Sequence, residues 1–133
     1  MKLQMQISKF TGLILRELKM IYEEESDGVL TYQYGGVIKR AWQSISDKKI
    51  DWEKLNAHTL THSFEDKDVV KKATVFSTTL NLSNEVCTAI ENLQEEFIEI
   101  FETARVYKPF VVKLIVFAGL MVAKNKIETF LLE

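Results

Sequence analysis

The chain holds one proline, five glycines, one cysteine and two histidines among 133 residues. So few helix breakers predict mostly helix joined by few turns. One cysteine, Cys87, excludes an internal disulfide and fits a reducing compartment. It sits on a helical stripe, where it reads as buried filler rather than a nucleophile. Neither charge sign is in excess: the net charge of -2 and pI near 5.8 leave no electrostatic footprint for nucleic acid. The opening MKLQMQISKF lacks an apolar core, so no signal peptide is expected, and the closing IETFLLE is too short and charged for a tail anchor. No repeat, linker or low-complexity stretch is visible.

What is present is 47% hydrophobic and 27% charged, the composition of an ordinary soluble globular protein. At this length the expectation is a single domain spanning 1–133, built on one core. The most informative stretch is 93–124, where an amphipathic segment ends, a basic and aromatic corner follows, and an almost wholly apolar segment begins. That apolar run carries Lys113 and falls short of the roughly 20 residues that span a bilayer. It is expected to be the central helix of an all-α bundle, about 109–124, with Pro109 in its first turn, where a missing N–H costs nothing.

The remaining elements follow from periodicity. Leu3, Ile7, Phe10, Ile14, Leu18 and Ile21 recur every three or four residues and predict one long N-terminal helix. Gly12 within it costs roughly 1 kcal/mol relative to alanine. Glu23–Glu25 oppose the dipole at its end, so fraying is expected before the Ser26-Asp27-Gly28 turn. A second helix should follow Gly35-Gly36, carrying Val37, Ile38, Ala41, Trp42 and Ile45. Asp51 can cap a short helix bearing Trp52 and Leu55. Residues 67–81, with Val69, Val70, Ala73, Val75, Phe76 and Leu80, are read as a further helix because strands are not expected elsewhere. Ser83 caps the next helix, whose stripe runs Val86, Ile90, Leu93, Phe97, Ile100 and Phe101 and whose solvated face carries Glu91, Glu95, Glu99 and Glu102. Ile127, Phe130 and Leu131 place the chain's end inside a helix, so a removed membrane anchor stays open.

Catalytic patterns are missing. His58 and His62 share a helix face, but Thr59 stands where a zinc protease needs glutamate and no third ligand is near. Pairing with Asp66, or exposure, suits these imidazoles. No phosphate loop, dinucleotide fingerprint or nucleophile elbow occurs. Glu95, Glu96 and Glu99 lack the histidine three residues on that a di-metal bundle uses. No enzyme activity, metal or cofactor is expected, and binding by shape remains.

Residues 93–124 resemble the BH1 region of the Bcl-2 family of apoptosis regulators. Leu93, Phe97, Ile100 and Phe101 match the family's apolar run. Tyr107 stands near its tryptophan position, Phe117-Ala118-Gly119 matches its small-residue step, and Val122-Ala123-Lys124 continues the likeness. Residues 7–24 resemble its first helix. The family's Asn-Trp-Gly-Arg core is replaced by Val106-Tyr107-Lys108-Pro109-Phe110, with a one-residue insertion. No arginine stands at the aligned place, and no BH2 tryptophan or BH3 motif is found. Such divergence is typical of viral members.

The resemblance implies a Bcl-2-like bundle that inhibits apoptosis by sequestering BH3 helices of pro-apoptotic proteins in an apolar surface groove. The implied groove residues are Phe97, Ile100, Phe101, Tyr107, Phe110, Val111 and Leu114. Arg105 or Lys108 would supply the cation for the ligand's aspartate, and lysine lacks arginine's bidentate fork. Either 36–47 or 67–81 would be the second helix. The competing role is an immunomodulator that binds signalling adaptors through outer helix faces with the groove closed, and a third is a membrane-active or self-associating bundle. A homodimer that shields part of the groove is expected, with no nucleic acid partner and no stable membrane anchor. The implied location is cytoplasmic, in a host cell if the protein is viral, with recruitment to mitochondria through partners.

Overall fold

Ten residues of one helix, Lys108–Ala123, are buried, on all of its faces. A helix of that kind has to be wrapped by other elements. The computed structural model describes residues 2–62 and 75–132 of the chain. In chain order these form strand β1 (Lys2–Ser8) and helices α1 (Lys9–Glu25), α2 (Tyr34–Ile45) and α3 (Trp52–Thr59). Strand β2 (Val75–Asn81), helices α4 (Asn84–Ile100) and α5 (Lys108–Ala123) and a 3-10 turn (Ile127–Phe130) follow. Helix α5 lies at the centre, packed against α2, α1, α4, α3 and β1. Each fully buried aliphatic or aromatic side chain there contributes about 1.5–3 kcal/mol. The architecture is mostly helical, as expected, with Pro109 in the first turn of α5.

Parts of two expected helices are corrected to strands. Residues 2–8 form β1, antiparallel to β2 with Lys2 opposite Asn81 and Ser8 opposite Val75. Leu3 and Ile7 fit a period of two as well as one of four. Met5 and Ile7 are buried while Lys2, Gln4 and Gln6 are exposed, which is the alternation of a half-buried strand. The helix starts only at Lys9, where Ser8 Oγ accepts from the Thr11 N–H at 3.2 Å. Of the helix expected over 67–81, residues 75–81 are β2, and 67–74 lie outside the described residues. The β-branched run suits a strand once a partner strand exists.

The chain's end is corrected too. Ile127–Phe130 is a 3-10 turn, and Leu131 forms an isolated bridge with Ile50. Of the two candidates for second helix, the first is the helix Tyr34–Ile45, whose Gly35 lies so close to Asn81 that a side chain there would strike its carbonyl oxygen.

The end of α1 is tied down rather than frayed. The Asp27 N–H donates to Glu24 O (3.0 Å) and the Gly28 N–H to Glu23 O (3.1 Å), with Asp27 in the left-handed region at φ 56. This is the Schellman arrangement, which satisfies carbonyls the helix leaves over. Helix α4 ends the same way at Glu102 (φ 52) and α5 at Asn125 (φ 58). Beyond α1 the connection to α2 is clamped by Arg40. Its guanidinium lies 4.0 Å from the Tyr22 ring centroid, donates to Tyr32 Oη at 3.1 Å and pairs with Glu25. Burial pushes the Tyr22 hydroxyl up to about 12, against the lowering effect of Arg40.

Candidate functional site

The corner between α4 and α5 is built from aromatic rings. Phe97 comes from the last turns of α4, Phe101 caps that helix and Phe110 opens α5. Their ring centroids are 5.5 Å apart for Phe97–Phe101, 6.1 Å for Phe97–Phe110 and 5.4 Å for Phe101–Phe110, all edge to face. Trp52 of α3 adds a fourth ring 5.1 Å from Phe97. Edge-to-face geometry matches the positive ring edge to the negative face. The loop between the helices is pinned by Gln94, whose side-chain amide donates to Val106 O at 2.9 Å.

Of the residues expected to line a groove, Phe97, Val111 and Leu114 are fully buried and belong to the core. Ile100, Phe101, Phe110 and Lys108 are half-buried. Arg105 and Tyr107 stand in solvent, with the Arg105 guanidinium 5.9 Å from the Tyr107 ring. A further cation, missed in the sequence reading as a site residue, lies beside Phe110. Lys113 Nζ is 4.7 Å from the Phe110 ring centroid and 3.2 Å from Asn56 Oδ1, and burial lowers its pKa.

Next to this corner is a cleft of about 350 Å³ between the end of α2, the 46–50 turn and α4. Trp42, Ile45, Ile50, Trp52, Leu93 and Ile100 line it. Ser46, Lys48, Lys49, Glu96 and half-exposed Leu132 complete the lining, and Lys48 Nζ lies 4.0 Å from the Asp47 carboxylate. The end of the described chain is seated there by two backbone bonds, Leu132 N–H to Lys49 O (2.8 Å) and Asp51 N–H to Phe130 O (2.7 Å). Ile100 is the expected site residue that reaches this cleft. Both tryptophans of the chain line it, and the sequence reading, which placed them only on helix faces, missed them as site residues; tryptophan's enrichment among binding anchors is the signal that could have found them.

The histidines do not form a ligand set. The His62 ring lies 5.3 Å from Phe117 and 6.2 Å from Phe10, and His58 lies 5.1 Å from Phe130. Asp66, the partner expected from sequence, lies outside the described residues. Among the described residues no group of three or more His, Cys, Asp or Glu is placed to hold a metal ion, and no helix is long and apolar enough to cross a membrane. Cys87 is half-buried on the first turn of α4.

No family model, curated protein or solved structure matches this chain.

Proposed function

We propose that this protein is a non-catalytic capture module of Bcl-2 type, an inhibitor of apoptosis that holds a BH3 helix of a pro-apoptotic partner. One observation carries the reading. Half-buried Ile100 lines the tryptophan cleft, half-buried Phe101 and Phe110 pack on Phe97 beside Trp52, and cations belong to both parts, Arg105 and Lys108 to the corner and Lys48 and Lys49 to the cleft lining. An amphipathic helix with apolar anchors and acidic flanks is the ligand that such a strip fits. The BH1 likeness of 93–124 supplies the partner class. Fully buried Phe97, Val111 and Leu114 support the strip from beneath and do not touch the ligand.

A second reading, docking of a signalling adaptor on an outer helix face, is favoured by the closed packing of the corner rings and by the exposed row Glu91, Glu95, Glu99 and Glu102 on α4.

Calorimetric titration against a panel of BH3 peptides separates them. The expected result is saturable binding to one or more peptides, weakened about tenfold or more by Phe101→Ala and by Lys108→Glu, with helicity preserved. Silence across the panel removes BH3 capture and leaves the adaptor reading.

A further inference from the structure

The connection between α1 and α2 holds apolar side chains out in water on a rigid support. Val29 is 80% exposed and Leu30 55% exposed, and Met20 on the preceding turn of α1 is 54% exposed. An exposed apolar tip on a slack loop would need no explanation, but this one is tethered at nearly every residue. Ser26 Oγ donates to Glu23 O at 2.8 Å and accepts from the Leu30 N–H at 3.0 Å. The Val29 N–H donates to Ser26 O at 3.1 Å. The Tyr32 N–H donates to Glu23 Oε2 at 2.8 Å, and Arg40 clamps Tyr32 from α2. Preorganising a loop in one shape lowers the entropy cost of binding through it. The charges beside the tip are acidic: Glu24 and Asp27 are exposed, while Glu23 and Glu25 are already paired with Lys19 and Arg40.

The tryptophan cleft at the far end of α2 has the opposite character. It is lined by Trp42, Trp52, Ile45 and Leu93 together with two cations, exposed Lys49 and Lys48, the latter at the 4.0 Å limit of contact with Asp47. Its volume of about 350 Å³ exceeds the roughly 150 Å³ cavity that accepts a benzene ring, so it has room for two aliphatic side chains. Glu96 on the α4 side repels acids and fixes which way an acidic loop can lie.

We propose that the Asp27–Leu30 loop of one copy inserts Val29 and Leu30 into the Trp42–Trp52 cleft of a second copy, with Glu24 and Asp27 facing Lys48 and Lys49. The loop and the cleft lie at opposite ends of α2, about 18 Å of helix apart. A twofold pair exchanges both contacts, and a head-to-tail arrangement makes one per copy. One such contact is small beside the roughly 1,000 Å² of a lasting interface, so the association is weak and reversible. The inference stands on the loop and the cleft, and does not depend on BH3 capture.

Both tryptophans of the chain line the cleft, so their emission reports its occupancy directly. The test is a dilution series of the intact protein, followed by tryptophan emission and sedimentation velocity together. With concentration, emission should move to the blue as mass rises. Leu30→Asp should weaken association about tenfold or more while leaving helicity unchanged. Lys49→Glu should weaken it less, and added salt should weaken the wild type. Mass that rises without an emission change places the interface elsewhere and overturns the proposal. So does an unaltered association in Leu30→Asp, or a wild type that stays monomeric throughout the series. A BH3 peptide that shifts emission in a wild type that never self-associates would assign the cleft to helix capture alone. Self-association without any peptide response would retain this contact and remove the capture reading.

Discussion

Gly119 of α5 lies against Ala41 of α2 so closely that a Cβ built on the glycine would fall 2.5 Å from the Ala41 Cβ and 3.0 Å from its Cα. The two helices therefore meet backbone to backbone, and α2 is the heaviest neighbour of α5. The Ala41 Cβ has no rotatable bond beyond it and its Cα belongs to the helix backbone, so neither can swing aside. Gly119→Ala should therefore push α2 outward and destabilise the fold by about 1–3 kcal/mol. Urea unfolding reads this as a lower midpoint at unchanged slope. An unaltered midpoint would mean that the helices do not approach in this way.

Glu102 occupies the left-handed position that closes α4, at φ 52, where a side chain is costly. It is exposed and forms no ion pair among the described residues. Glu102→Gly should stabilise the protein by about 1 kcal/mol, read as a raised urea midpoint. The gain sits in the α4–α5 turn alone, so peptide binding through half-buried Phe101 next door should be retained.

Arg40 holds the loop after α1 by three different interactions, a stacked ring, a hydroxyl and a carboxylate. Lysine keeps the charge but loses the planar fork and the stacking face. Arg40→Lys should therefore behave much like Arg40→Ala, with each costing about 1–2 kcal/mol. Limited proteolysis should find new cleavage within residues 26–33 in both variants. A lysine variant as resistant as the wild type would show that charge alone secures the loop.

Phe97 is fully buried beneath the corner, while Phe101 and Phe110 are half-buried. Phe97→Ala should cost about 3–5 kcal/mol and alter the emission of Trp52, 5.1 Å away. Phe101→Ala should cost less, because part of its ring already faces water. Equal losses in the two variants would argue that the corner is closed over Phe101 as well.

Much of this architecture is local and could be read from the sequence. The stripes of α1 and α4, the Ser83 cap, the placement of Pro109 and the burial of α5 each depend on residues within a few turns of one another. The strands could not be read so. Leu3 and Ile7 satisfy both periods, and only pairing with residues some 70 positions away decides between them. Ser8 was the overlooked cue, a cap standing between the alternating segment and the helix. The aromatic corner was legible as a cluster, but which rings face inward depends on how α3 delivers Trp52. The cleft joins α2, α3, α4 and the chain's end, so no single segment announced it.

His62 makes stability depend on pH, with a sign that its surroundings settle. The ring lies beside Phe117 and Phe10, and burial lowers its pKa below the usual histidine value. Glu17 of α1 favours the charged form, while Lys124, His58 and Lys126 oppose it. Glu17 is in turn engaged by Lys124 at 2.5 Å. Because the folded value lies below the unfolded one, near 6.5, the unfolded chain takes up this proton first as pH falls. The contribution of a neutral His62 is thus fully present above about pH 6.5, is lost as pH drops toward the folded value, and changes no further below it. Carboxylates also titrate at low pH, so the comparison needs a variant that keeps the ring and removes the proton. His62→Phe should keep the edge contact with Phe117 and lose less stability than the wild type between pH 7.5 and pH 5. Equal losses in the two proteins, read by urea unfolding at both pH values, would show that His62 takes up its proton as readily in the folded state as in the unfolded one.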